Sequence, residues 1–353
     1  MRVEGVWLMS GSQRILVVRL GAIGDALRTL PAVRRVRKAM PDTEIGWAVE
    51  NWVAPILRGN PNIATLHVLD RGELDAGGSR AWRETMRLLR EIKAHGYDTV
   101  LDFHARFKSG VISMFSGART RIGYCAGDST EGNFLFNNVR VRLEDPLENR
   151  VMRFLHLLAP MGLDASFDAT DSGISVPGGP MAGAREWHDR CGAPWVALYP
   201  GCSEKRMSYH RWPDGKWIEL IRKLGAAGAR SVIFWGPAEK DVAAGIATAA
   251  GATSCELAPK TGLMEMMAMI SRFRVYLGYN TAAMHMAWLQ GVPTALFTGP
   301  VQVRTDSPLP PVPFRVLRAD ENYRPGESKR RQADVTSEVP VDTAFKAVMD
   351  LLG

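Results

Sequence analysis

Asn280, Thr281 and His285 fall within one short stretch, Gly278–His285, between an apolar run and a helical pattern, and that placement suits them to an anion. A helix opening near Thr281 leaves the backbone N–H groups of Ala282 and Ala283 without intrahelical partners. Such a terminus carries about half a positive charge and favours a diphosphate. His285, one turn in, can swing toward the same ligand and donate a hydrogen bond or a positive charge as a leaving group becomes negative. A purely structural reading competes, because Asn and Thr are common helix caps and strand–turn–helix units occur in α/β proteins that bind nothing. Asp25 is the second candidate. In Leu20-Gly21-Ala22-Ile23-Gly24-Asp25, two glycines let the chain turn sharply and deliver the acid to a helix start. There it acts either as an N-cap, worth about 1 kcal/mol, or as a general base toward a nearby hydroxyl. The turn lacks the GxGxxG arrangement, and Glu50 comes too late to serve as a ribose-binding acid, which argues against a dehydrogenase.

The elements that must carry these residues are strands and helices in alternation, the pattern of a parallel sheet wrapped by helices. In the first half, Arg14–Arg19, Glu44–Val49, Thr65–Leu69 and Thr99–Phe103 read as strands. Leu30, Val33, Val36 and Met40 recur at helical spacing, with Pro31 tolerated in the first turns. Trp82, Met86, Leu89 and Ile92 form the expected core stripe of a helix over Arg80–His95, and residues 148–163 form another helix. A second series runs through Trp195–Tyr199, Pro213–Ala226, Ser231–Trp235, Ala238–Ala250, Leu263–Ser271 and a strand Phe273–Leu277. The fold class is thus α/β, with two doubly wound units and ligand-binding loops at the carboxyl ends of both sheets. Residues 1–12 read as an N-terminal extension, 13–175 as the first domain, 176–180 (VPGGP) as a linker and 181–338 as the second domain. The helix in 339–353 is expected to pack back across the first domain.

The 353 residues, 46% of them hydrophobic, provide for two domains with substantial cores. No apolar run reaches the roughly 20 residues of a spanning helix, and the N-terminus lacks a signal-peptide layout, so a cytoplasmic protein is expected. Cys125, Cys191, Cys202 and Cys255 form no CxxC pair and read as free thiols rather than metal ligands. A net charge of +7 favours anionic partners. Arg34, Arg35, Arg37 and Lys38, and Lys329 to Arg331, are either solvated faces or sites for an anionic membrane surface.

Three segments, RILVVRLGAIGDALRTLPAVRRVR, YPGCSEKRMSYHRWPDGKWIELIRKL and LGYNTAAMHMAWLQGVPTALFTGP, occur in that order, with GYDTVLDFHARFKSG and TRIGY between the first two. Together they resemble the lipopolysaccharide heptosyltransferases of glycosyltransferase family nine over nearly the whole chain. The resemblance implies the GT-B architecture, two Rossmann-like domains facing a central cleft, with the acceptor on the first and a nucleotide sugar on the second. It implies inverting transfer of a heptose or related sugar from an ADP-activated donor to a lipopolysaccharide core or similar lipid-linked glycan. No metal, cofactor or nucleic acid is involved, and the enzyme would be cytoplasmic, peripheral on the inner face of the inner membrane. Asp25 falls on the family's catalytic base. Lys108 and Arg121 match acceptor-side positions, Glu239 lies near a ribose-binding acid, and Thr281 and His285 keep the diphosphate turn. Three departures stand out. His210-Arg211-Trp212-Pro213 replaces a motif that begins with lysine, leaving His210 and Arg211, or Lys205, to steady the donor phosphates. Asn280-Thr281-Ala282 replaces Asp-Thr-Gly, and His104 replaces glutamine. A nucleotide-sugar-binding protein with little transferase activity, or a sugar-nucleotide epimerase of the same architecture, are the alternatives.

Overall fold

The computed structural model describes residues 14–191, 196–201, 211–298, 302–318 and 336–353. Its contacts divide the chain between Ser175 and Val176. In the first unit, β1 (Arg14–Val18), α1 (Ile23–Ala39), β2 (Glu44–Glu50), β3 (Thr65–Leu69), α2 (Arg71–Asp75) and α3 (Gly78–His95) are followed by β4 (Thr99–Asp102), α4 (Phe107–Phe115), β5 (Thr120–Tyr124), β6 (Val139–Val141) and α5 (Arg150–His156). The second unit runs α6 (Gly178–Cys191), β7 (Val196–Tyr199), α7 (Asp214–Ala226), β8 (Ser231–Ile233), α8 (Lys240–Ala250), β9 (Cys255–Leu257) and α9 (Leu263–Ile270). It continues with β10 (Val275–Tyr279), α10 (Ala282–Trp288), β11 (Thr294–Phe297), α11 (Gln302–Asp306), β12 (Phe314–Leu317) and α12 (Val341–Leu352).

Each unit is built on a six-stranded parallel sheet, ordered β3-β2-β1-β4-β5-β6 in the first and β12-β11-β10-β7-β8-β9 in the second. Counting β7–β12 from one and reading from the other edge, the second order is the same as the first. Strand order therefore reverses between β1 and β4 in one sheet and between β7 and β10 in the other, where ligand crevices of doubly wound folds open. Helices cover both faces of such sheets, so central strands are continuously apolar. Ile15, Leu16, Val17 and Val18 are accordingly buried.

Several expectations change. Helix α6 begins at Gly178, so 178–180 are helical rather than linker. Pro31 lies well inside the 17-residue α1, not in its first turns, leaving the Leu27 carbonyl without its N–H partner four residues on. Of the expected core stripe, Leu89 and Ile92 are buried and Met86 packs on the core, with Leu88 joining them, but Trp82 is 64% exposed and lies outside it. The helix expected over 148–163 is the shorter α5 followed by a 3₁₀ turn.

Helix α12 closes the second unit, not the first. Its Val341, Ala344, Ala347, Val348 and Leu352 join the core of the second sheet with Trp212, Trp217 and Phe297. The approach is fixed by polar bonds as well as packing. Trp212 Nε1 donates to the Val339 carbonyl at 2.9 Å, and Lys216 Nζ donates to Ser337 and Val339 carbonyls at 2.8 and 3.0 Å. The basic cluster of α1 is likewise used internally: Arg34 and Lys38 pair with Asp171 at 2.9 and 2.7 Å, Arg35 with Asp164, and Arg37 caps the Pro41 and Thr43 carbonyls. Lys329, Arg330 and Arg331 lie outside the described residues.

Candidate active site

In the first unit, β1 and β4 lie side by side with Val18 opposite Asp102, and the chain leaves their carboxyl ends into the two loops that hold Asp25 and His104. Asp25 is not a cap. The N-cap residue of α1 is Ala22, with no side-chain cap bond, and Asp25 sits in the first helical turn. Its carboxylate, 13% exposed, is bound instead by the guanidiniums of Arg19 and Arg28, and Arg150 Nη1 stands 3.4 Å away. Arg19 is itself anchored. Its Nη1 donates to the Phe103 carbonyl at 2.9 Å and its guanidinium lies 5.6 Å from the Phe154 ring centroid, within cation–π range. Burial, and after it the adjacent Arg28 and Arg150 charges, push Arg19 down to about 9, which still leaves it a cation at neutral pH. The acid is thus oriented by fixed cations, and its remaining lone pairs are what a substrate hydroxyl can reach.

The second loop is built around Asp102, a fully buried carboxylate that the sequence reading passed over. It accepts from the backbone N–H groups of His104 and Ala105 at 3.1 Å each, from Ser109 Oγ at 3.0 Å and from Asn133 Nδ2 at 2.6 Å. These bonds hold the turn in which Ala105 takes a φ of 57°, a left-handed conformation that needs such bracing. Burial raises the Asp102 pKa, and the four donors oppose that rise. The His104 ring bonds the Gly21 carbonyl, while its Nδ1 is buried without a partner. The proton therefore sits on Nε2, and Nδ1 is an acceptor. Burial first, then Arg19, Arg106 and Lys108, push His104 down to about 3, so the ring is neutral. Trp52 lies against Gly21 on another side: a Cβ there would stand 3.0 Å from its ring, and the indole is held by Glu50 at 2.7 Å.

Lys108 lies exposed in the first turn of α4, at this same carboxyl edge. Arg121 does not. It sits near the start of β5, opposite Val100, and its guanidinium donates to the Phe136 and Ala118 carbonyls at 2.9 Å each. Its role in the structure is to fasten the 3₁₀ turn Asn133–Phe136, not to stand beside Asp25.

In the second unit, β10 lies next to β7 and delivers Asn280 to the turn before α10. Thr281 occupies the N-cap position but its side chain makes no cap bond. Its Oγ1 is buried beside the Tyr276 hydroxyl without a well-formed hydrogen bond, so the simple capping account fails. His285 is buried rather than swinging free, and its Nδ1 accepts from Trp288 Nε1 at 3.0 Å. That bond assigns the proton to Nε2, which makes the ring a fixed donor. Glu239, after β8, accepts from the Gly236 N–H at 3.1 Å. A Cβ at Gly201, after β7, would come within 2.7 Å of the Glu239 side chain. Arg211 pairs with Asp214, and Trp212 N–H donates to the Tyr279 hydroxyl at 2.5 Å. His210 and Lys205 lie outside the described residues. Cys125 and Cys255 are free thiols.

Two doubly wound units of matching strand order, with an acid at one reversal point and an anion-suited turn at the other, have the GT-B architecture, and solved structures share the fold. The chain superposes on a family 9 glycosyltransferase from Veillonella parvula with a TM-score of 0.79 at 21% identity, covering 96% and 97% of the two chains. It superposes on E. coli heptosyltransferase WaaC with ADP-2-deoxy-2-fluoro heptose with a TM-score of 0.76 at 19% identity, covering 96% and 99%. The model of glycosyltransferase family 9 (heptosyltransferase) matches residues 85–324, and the chain belongs to that family. It is 24% identical to lipopolysaccharide heptosyltransferase 1 of Pseudomonas aeruginosa over 349 residues, 93% of each chain.

Proposed function

We propose that the protein transfers a heptose, or a closely related sugar, from an ADP-activated donor to a lipopolysaccharide core or similar lipid-linked glycan, inverting the anomeric centre. The observation that carries this reading is Asp25: a carboxylate at the β1/β4 reversal point that caps nothing and is oriented by Arg19, Arg28 and Arg150. Asp25 takes the proton of the acceptor hydroxyl as that oxygen attacks the anomeric carbon from the face opposite the leaving group. The bond from the anomeric carbon to the diphosphate breaks, and the nucleoside diphosphate leaves with the negative charge. The N–H groups of Ala282 and Ala283, Thr281 Oγ1 and the His285 Nε2–H are the donors offered to that charge, with Asn280 lining the turn. Arg211, and His210 beside it in the sequence, supply further donors once Arg211 exchanges Asp214 for phosphate. Glu239 takes the ribose hydroxyls, and Lys108 the anionic groups of the acceptor. Arg121 contributes through the turn it fastens.

The ADP-sugar assignment is supported by the WaaC complex, and the glycan acceptor by the name of the Pseudomonas relative. Among the described residues no helix is long and apolar enough to cross a membrane. On this reading the enzyme meets its lipid-linked acceptor as a peripheral protein at the cytoplasmic surface of the inner membrane. A melting screen against ADP-, UDP-, GDP- and dTDP-sugars tests the donor. A stabilising shift confined to ADP-sugars is expected, and a shift with another nucleotide alone would replace the donor. Release of ADP that depends on added acceptor separates transfer from epimerisation, which consumes donor without acceptor.

A further inference from the structure

Helix α4 packs Val111 and Ile112 against the core of the first sheet yet leaves its other apolar side chains outside. Its buried positions are Ser109, Gly110, Ile112 and Ser113, whereas Phe107, Met114 and Phe115 are 53%, 55% and 56% exposed. Apolar residues therefore lie on more than one side of this helix, and hydrophobicity alone does not fix its rotation. Polar bonds set this rotation. Ser109 Oγ donates to the buried Asp102 carboxylate at 3.0 Å and accepts from the Arg106 N–H at 3.1 Å. Gly110 lies under Phe136, whose ring is 2.3 Å from where a Cβ would be. The outer apolar side chains are therefore held at the surface by the same hub that shapes the His104 loop.

The surrounding charge is mainly positive, with Glu131 the acid beside the start of α4, 3.7 Å from Arg106 Nη1 and accepting from the Phe107 N–H at 3.2 Å. From Phe103 to Gly127 the chain carries Arg106, Lys108, Arg119 and Arg121 and no acidic residue. Lys108 and Arg119 are exposed at either end of α4. A face of aromatic and methionine side chains between cations matches the boundary of an anionic bilayer, where apolar groups enter the acyl region and cations meet phosphate. A second copy of the chain would set these cations against their like.

We propose that the outer face of α4, Phe107, Lys108, Met114 and Phe115, is the surface by which this protein docks on an anionic lipid membrane. The proposal deepens, and rests on, the reading of a lipid-linked acceptor, because α4 starts at the carboxyl edge that carries Asp25. Its test uses neither donor nor acceptor, so the two can fail separately.

The full chain is sedimented with phosphatidylcholine vesicles with and without phosphatidylglycerol. Binding is expected only with the anionic lipid and should weaken as salt is raised. Met114→Gln with Phe115→Gln, two positions away from the Phe136 contact, should lower vesicle partitioning by about tenfold or more while the melting temperature holds. Phe107→Ser is the second variant should the first not fold, and Lys108→Glu should weaken binding to the anionic vesicles. Absence of binding by the parent protein, or equal binding by folded variants, overturns the proposal. So does a parent dimer that the variants dissociate with no change in vesicle binding, which would make a second copy the occupant. Loss of ADP-sugar binding in the melting screen, with vesicle binding intact, would count against the enzymatic reading alone.

Discussion

The two reversal points occupy the same place in two sheets of the same strand order, yet their chemistry is opposite. At β1/β4 the candidate group is a carboxylate, Asp25, clamped by Arg19 and Arg28 with Arg150 close by. At β10 the turn Asn280-Thr281-Ala282 carries no ionised side chain, and His285 is fixed by Trp288. A group that must accept a proton in one orientation gains from cations that cannot move, since preorganised charges need no rearrangement during reaction. On the proposed reading, a turn that takes up and releases a diphosphate supplies neutral dipoles, and the charge comes from Arg211 on a separate loop.

The largest effect should come from breaking the charged side. Asp25→Asn keeps the shape and the arginine cluster but removes the base, and kcat should fall on the order of 10²–10⁴-fold. Steady-state ADP release with acceptor, read beside donor KM, checks this; a fall of less than about tenfold would take the base role away from Asp25. On the neutral side the effect should be smaller. Thr281→Val removes one hydroxyl donor, worth about 0.5–1.5 kcal/mol, so donor KM should rise about two- to tenfold with the melting temperature of the free protein unchanged. An unchanged KM would return Thr281 to a purely structural place. The last concerns stability rather than turnover, through His104, whose pKa burial lowers to about 3 in the folded protein against about 6.5 in an unfolded chain. Between these values the unfolded chain binds a proton that the folded chain does not, so this contribution is intact above pH 6.5 and declines as pH falls toward 3. His104→Gln should flatten the fall in melting temperature between neutral pH and pH 4. Parallel curves for the two proteins would show that His104 is not the group responsible.

Much of this was legible in the sequence, and the failures share a cause. Runs such as Ile15–Val18 mark buried parallel strands, and the glycine turn before Asp25 placed the acid at a helix start. The clamp on the acid is only partly local, since Arg19 and Arg28 lie six and three positions away but Arg150 lies 125 positions away. Asp102 was missed because Asn133 meets it from 31 positions on. Trp82 was misread as core because periodicity reports a face, not what covers it. Arg121 was carried to the acceptor by motif position, whereas two backbone carbonyls claim its guanidinium. In α4 polar bonding to Asp102 set a rotation that the apolar pattern leaves open, which only the three-dimensional contacts reveal.

Helix α12 packing on its own sheet has a consequence for biogenesis. Every strand of each sheet comes from one continuous stretch of chain, on either side of residue 175. Domains of this kind fold as units during synthesis, the N-terminal one first. The Asp25 half can thus be complete on the ribosome before translation reaches Val176. The second half must wait until α12 has been made, because that helix is part of its core.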